Sequence, residues 1–110
     1  MTRNQRKIRR FIFKNLDKIY LSAKEIAEEY DSRSIPLTTL KEIINRSKPD
    51  QNTGVAWVDD HNGKYNKTLD SLYVACKKNA DRMHSKKASL RSIKEGIRII
   101  KSAYKEGQKD

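Results

Sequence analysis

Residues 22–46 read S-A-K-E-I-A-E-E-Y-D-S-R-S-I-P-L-T-T-L-K-E-I-I-N-R, and the fold follows from how this stretch divides. The Ser22 side chain can accept from the Glu25 amide while the Glu25 side chain reaches back to Ser22, so a helix is expected to start at Ser22. Ala23, Ile26, Ala27 and Tyr30 fall on one face of it, and the polar D-S-R-S stretch ends it near Asp31. Pro36 suits the first turn of a new helix that carries Leu37, Leu40, Ile43 and Ile44 on one side and stops before Pro49. Helix, short connection and helix is the plan of a helix-turn-helix unit.

Upstream, Ile8, Phe11, Ile12, Leu16 and Ile19 recur at helical spacing among basic residues, which predicts an amphipathic helix over 1–20; a short strand at 11–13 is the competing reading. Downstream, P-D-Q-N-T-G is a loop by composition. The Asn62-Gly63 dipeptide between two short runs of strand formers then predicts a β-hairpin. Leu69, Leu72, Tyr73, Cys76 and Ala80 make a further amphipathic helix, and Leu90, Ile93, Ile97 and Ile100 a last one, with the polar D-R-M-H-S-K-K between them.

The plan is therefore used twice, from Ser22 to Trp57 and from Ser71 to Tyr104, with Leu40 and Leu90 at nearly equal distances from the two serines. The expected fold is mainly α with a small β-hairpin, as tandem helix-turn-helix units sharing a thin core. A basic amphipathic helix (1–20) precedes a first unit (21–58), and a hairpin with the second unit fills 59–110.

Charged and hydrophobic residues each make up 35% of the 110 residues, so the core must come from amphipathic helices. Twenty-five Lys and Arg against 14 Asp and Glu give a net charge of +11, which favours a polyanionic partner. The imbalance is local: residues 1–20 and 61–110 are basic, while 21–60 holds more acids than bases. No apolar run is long enough for a membrane span, and M-T-R-N-Q-R-K-I-R-R lacks the apolar stretch of a signal peptide, so an intracellular (cytoplasmic) location is expected. The single Cys76 reads as a small buried residue in a reducing compartment.

N-G-K-Y-N-K-T-L-D-S-L-Y-V-A-C-K and S-L-R-S-I-K-E-G-I-R-I-I-K-S-A-Y together resemble the intron-encoded nuclease repeat, a modular DNA-binding domain attached to homing endonucleases of phages and mobile introns. S-A-K-E-I-A-E-E-Y, L-K-E-I-I-N-R and G-V-A-W resemble a second, upstream copy, and the likeness spans about residues 20–106. It implies a nuclease-targeting module or a transcription regulator of phage or mobile-element type. The chain departs from that pattern in the extra R-M-H-S-K-K of the second copy, in the missing Asx-Gly hairpin of the first, and in the acidic first helix with Glu25, Glu28, Glu29 and Asp31.

In such a unit the second helix enters the major groove. Thr38, Thr39, Lys41, Glu42 and Asn45 project opposite Leu40 and Ile44; Ser89, Arg91, Ser92, Lys94, Glu95 and Arg98 do so in the second copy. Arg91 and Asn45 are the candidates for base readout, by paired hydrogen bonds to guanine and adenine. Lys86, Lys87, Lys101, Lys105 and the N-terminal Arg3, Arg6, Lys7, Arg9 and Arg10 are candidates for phosphate contacts, with a solvated basic surface as the alternative for each. Trp57 and the tyrosines suit core filling better than base stacking.

The expected function is thus double-stranded DNA binding without catalysis, cofactor or metal. The alternatives are an interaction protein that modulates a host enzyme through the acidic helix 22–31, and a degenerate HNH-type homing endonuclease. The latter rests on D-D-H-N-G-K-Y-N-K-T-L-D-S-L followed by Asn79, which is similar to the HNH motif, although Ser71 stands where that motif has Asn and His61 is too close to Asn66.

Overall fold

The computed structural model describes residues 3–48 and 56–106, and within them all side chains but those of 4, 5, 56–64 and 106. Helix α1 (Arg3–Glu29) leads through a tight turn to strand β1 (Ser34–Pro36) and helix α2 (Leu37–Ser47); α3 (Ala56–Arg82), β2 (Lys87–Ser89) and α4 (Leu90–Glu106) repeat the order. The described residues are mainly helical with a small two-stranded antiparallel element, as the amphipathic patterning requires.

α1 runs unbroken through Ser22, so the helix expected to start there does not. Leu16, Ile19, Ala23 and Ala27 continue one buried stripe at three- and four-residue spacing, and breaking the helix would leave backbone groups without partners beside that stripe. The expected hairpin around Asn62-Gly63 also gives way, because residues from 56 onward are helical. A glycine inside a helix costs about 1 kcal/mol. Burial of Tyr65, Leu69, Leu72 and Cys76 along the same helix outweighs that. The β element instead pairs two segments from opposite halves, Ser34 with Ser89, Ile35 with Ala88 and Pro36 with Lys87. The loop read at 49–54 lies outside the described residues.

The duplication is real in the backbone, but its register differs from the one the serines suggest. Asp31 and His84 both have positive φ, 47° and 52°, and lie 53 residues apart (84 minus 31). The same offset relates Glu29 to Arg82, Ser34 to Lys87 and Leu37 to Leu90, the ends of matching elements. The two turns are equal in length, so R-M-H-S-K-K is no insertion. Pairing Ser22 with Ser71 is wrong by about one helical turn, a slip that leaves an apolar stripe nearly superposed on itself.

Both turns close in the same way. The Ser32 amide donates to Ala27 O (2.8 Å) and the Asp31 amide to Glu28 O (3.1 Å); Ser85 and His84 repeat this on Ala80 and Asp81 at 2.9 and 3.1 Å. This is the capping pattern that ends a helix on a left-handed residue. Ser32 Oγ then accepts from the Ser34 amide, and Ser85 Oγ from the Lys87 amide, each at 3.1 Å. The Leu37 amide donates to Lys86 O and the Leu90 amide to Arg33 O, tying each short helix to the opposite half. Equivalent residues Ile35 and Ala88 face each other, so an approximate two-fold axis passes through that pair.

One core unites both halves. Ile12, Leu16 and Ile19 of α1, Leu40 and Ile44 of α2, Tyr65, Leu69 and Leu72 of α3 and Ile93 of α4 are almost wholly buried in a single cluster. Ion pairs follow the axis too: Lys48 Nζ lies 2.9 Å from Asp70, and Lys101 Nζ 2.7 Å from Asp17. Tyr30, expected in the core, instead stands 77% exposed, because the helix ends there and turns it outward.

Candidate nucleic-acid interface

Because β1 and β2 alternate, Ile35 and Ala88 point into the core, and the outward positions of the ribbon are Ser34, Pro36, Lys87 and Ser89. Arg33 and Lys86 precede the two strands, and Thr38 and Arg91 stand in the first turns of the helices that follow. Arg33, Lys86, Lys87 and Arg91 are all exposed, and the antiparallel pairing sets Arg33 beside the start of α4 and Lys86 beside the start of α2. Two helix N-termini and four cations thus share one end of the molecule. Helix starts carry partial positive charge, so both features favour anions, with the Leu37 and Leu90 amides already donating across the ribbon.

The two helix starts are finished differently. Ser89 Oγ accepts from the Ser92 amide (3.0 Å), and Ser92 Oγ donates to Ser89 O (2.9 Å), so the hydroxyls of Ser89 and Ser92 hold the turn of α4. At α2 the capping position is Pro36, with no side-chain cap.

On α4 the face with Arg91, Lys94, Glu95 and Arg98 is turned outward, as expected. Arg98 is bound to Glu95 through Nε (3.1 Å) and through Nη2, and this hydrogen bond, with the attraction of the guanidinium, holds the Glu95 carboxyl below its usual range. Lys101 pairs with Asp17 and lies 5.3 Å above the Phe13 ring, so it braces α4 on α1. On α2, Thr38, Lys41 and Asn45 are exposed and Thr39 is half-buried; Lys41 lies 5.8 Å from the Tyr73 ring centre.

Arg3, Arg6, Lys7 and Arg10 are exposed and Arg9 half-buried, near the start of α1. At 1.5 Å per residue they lie on the order of 30 Å from the ribbon end, so the expected contacts divide between two ends of the molecule. Lys105, exposed near the end of α4, belongs with this second group.

Arg33 was not among the sequence candidates, since a lone arginine in a turn has no pattern to mark it. Its equivalence to Lys86 was the available signal. The side chains of Trp57 and His61 lie outside those described. His61 and His84 sit on and just beyond one helix, roughly 35 Å apart at helical rise, so α3 does not bring the two histidines together.

Among the described residues no helix is long and apolar enough to cross a membrane, and no group of three or more His, Cys, Asp or Glu stands together as a metal site. Comparison with known protein families, with curated proteins and with solved structures gives no match.

Proposed function

We propose that this chain binds duplex DNA through its ribbon end, as a small regulator or targeting module. The observation that carries the reading is the grouping of Arg33, Lys86, Lys87 and Arg91 around a two-stranded ribbon flanked by two helix starts. A two-stranded ribbon has the width of the major groove. A phosphate beside that groove would meet the N-terminus of α4 together with the flanking cations, whereas Glu29 and Asp31 stand beside the start of α2. Arg91, exposed in the first turn of α4, is the nearer candidate for base or phosphate contact; Asn45 lies two turns along α2 and is the more distant one.

The test is a titration of fluorescent duplex DNA across a salt series. Binding through about four phosphate contacts gives a slope of log K against log salt of about −3.6. A slope near zero, or absence of binding at low salt, would overturn the reading.

A second reading has its own observation: Glu25, Glu28, Glu29 and Asp31 are exposed around the protruding Tyr30, a surface unsuited to phosphates and suited to protein.

A further inference from the structure

The two sides of the molecule that flank the ribbon are equivalent in backbone and opposite in charge. Near the end of α1 stand Glu25 and Glu29, with Asp31 just beyond it; at the equivalent places stand Lys78 and Arg82 on α3, with His84 just beyond it, all exposed. Thr38 on α2 is matched by Arg91 on α4. The reversal is selective, because neighbouring positions keep their sign: Lys24 matches Lys77, and Glu28 matches Asp81. Both sides also present apolar groups to solvent at equivalent positions, Leu21 with Val74 and Tyr30 with Met83, the last two 77% and 73% exposed.

Side-chain size differs at two equivalent positions as well. Where α2 has Ile43, α4 has Gly96, and where α1 has Ser22, α3 has Ala75. With Met83 and Ile99 these small residues line an open hollow on the basic side, rimmed by Lys78, Arg82 and Arg91 and by one acid, Glu95, which is paired with Arg98. The acidic side has a hollow of its own, lined by Ile26, Glu29, Pro36 and Thr39, with the exposed Tyr30 at its edge.

We infer that the acidic side of one copy docks on the basic side of another, with Tyr30 seated over the Ala75–Gly96 hollow, so that the chain associates head to tail. Opposed charge at matching positions selects this partner over a like-charged side, which would be repelled. The two sides are related by about a half-turn and face away from each other, so the contact is heterologous and extends into a row rather than closing as a symmetric pair.

Sedimentation velocity on the full chain, freed of nucleic acid, tests this. The expected result is a mean mass that rises above 12.8 kDa with protein concentration and falls back with added salt. Two double variants, Glu25→Lys with Glu29→Arg and Lys78→Glu with Arg82→Glu, should each sediment as monomers. Their equimolar mixture should regain association, because each then offers the side the other lacks. Tyr30→Ala should weaken self-association at least tenfold, and it serves alone if a charge-reversed variant fails to fold by circular dichroism. A wild-type chain that stays monomeric at low salt, or a mixture that stays monomeric when its components fold, overturns the inference. Neither result bears on DNA binding, which is measured separately.

Discussion

Asp31 and His84 hold the same left-handed backbone conformation at the same place behind two long helices, one in each half of the chain. Neither is glycine, the residue that adopts this conformation without steric cost. Asp31→Gly and His84→Gly are each expected to stabilise the fold by about 0.5–1 kcal/mol, since relief of the left-handed strain slightly exceeds the added freedom of the unfolded chain. Urea denaturation of the single and double variants checks this; destabilisation by both would mean that the side chains hold the turns by contacts of their own.

Charge at the ribbon should act on DNA affinity without acting on the fold. Arg33→Gln, Lys86→Gln and Lys87→Gln are each expected to weaken binding to all sequences alike and to reduce the salt slope by about one. Arg91→Ala should instead change the preference between sequences, by about 1–3 kcal/mol at its contact, if it reads a base. Equal losses on every duplex would assign Arg91 to a phosphate.

Alkaline pH should destabilise the chain in a definite window. Burial pushes the Cys76 thiol up to about 11, despite a hydrogen bond with Ser92, and burial with the nearby Tyr104 pushes the Tyr65 hydroxyl up to about 12, from ordinary values of 9.0 and 10.0. Folded values above unfolded ones mean that stability is unaffected by these groups at neutral and acidic pH. It falls from about pH 9, where the unfolded chain begins to ionise, until the folded groups ionise near 11 and 12. The urea midpoint measured between pH 7 and 11 should trace this decline. Cys76→Ala, which restores the residue found at the equivalent Ala23, should remove its earlier part.

Gly96 sits where a side chain has no room. A Cβ there would meet Leu72 Cδ1 at 2.8 Å, and Leu72 is fully buried. Alanine would improve helix propensity by about 1 kcal/mol, yet forcing Leu72 aside in a close-packed core costs about 1–3 kcal/mol. Gly96→Ala is therefore expected to destabilise by about 1 kcal/mol. Combining it with Leu72→Val should cost less than the separate changes together, and strict additivity in thermal melts would show that the contact is not the cause.

Much of the architecture is legible in residue spacing. Ile12, Leu16, Ile19, Leu40, Leu69 and Ile93 were all marked by helical periodicity or lie beside residues that were, because periodicity reports which face is buried whatever it is buried against. The duplication is legible as well, in L-D-K-I-Y-L at 16–21 against L-D-S-L-Y-V at 69–74, and in L-T-T-L-K-E-I-I at 37–44 against L-R-S-I-K-E-G-I at 90–97. Ser22 and Ser71 lie about one helical turn out of this register.

The primary structure by itself determined the amphipathic helices, the repeated order of elements and the uneven distribution of charge, since each is a local property of composition and spacing. Tertiary packing decided that Ser22 and Asn62-Gly63 would not interrupt their helices, because continuous burial of the Leu16–Ala27 and Tyr65–Ala80 stripes outweighs local capping and turn preferences. It also decided that S-I-P and K-A-S become strands. Three residues have no strand signal of their own, and they acquire one only when the two halves bring Ile35 and Ala88 face to face.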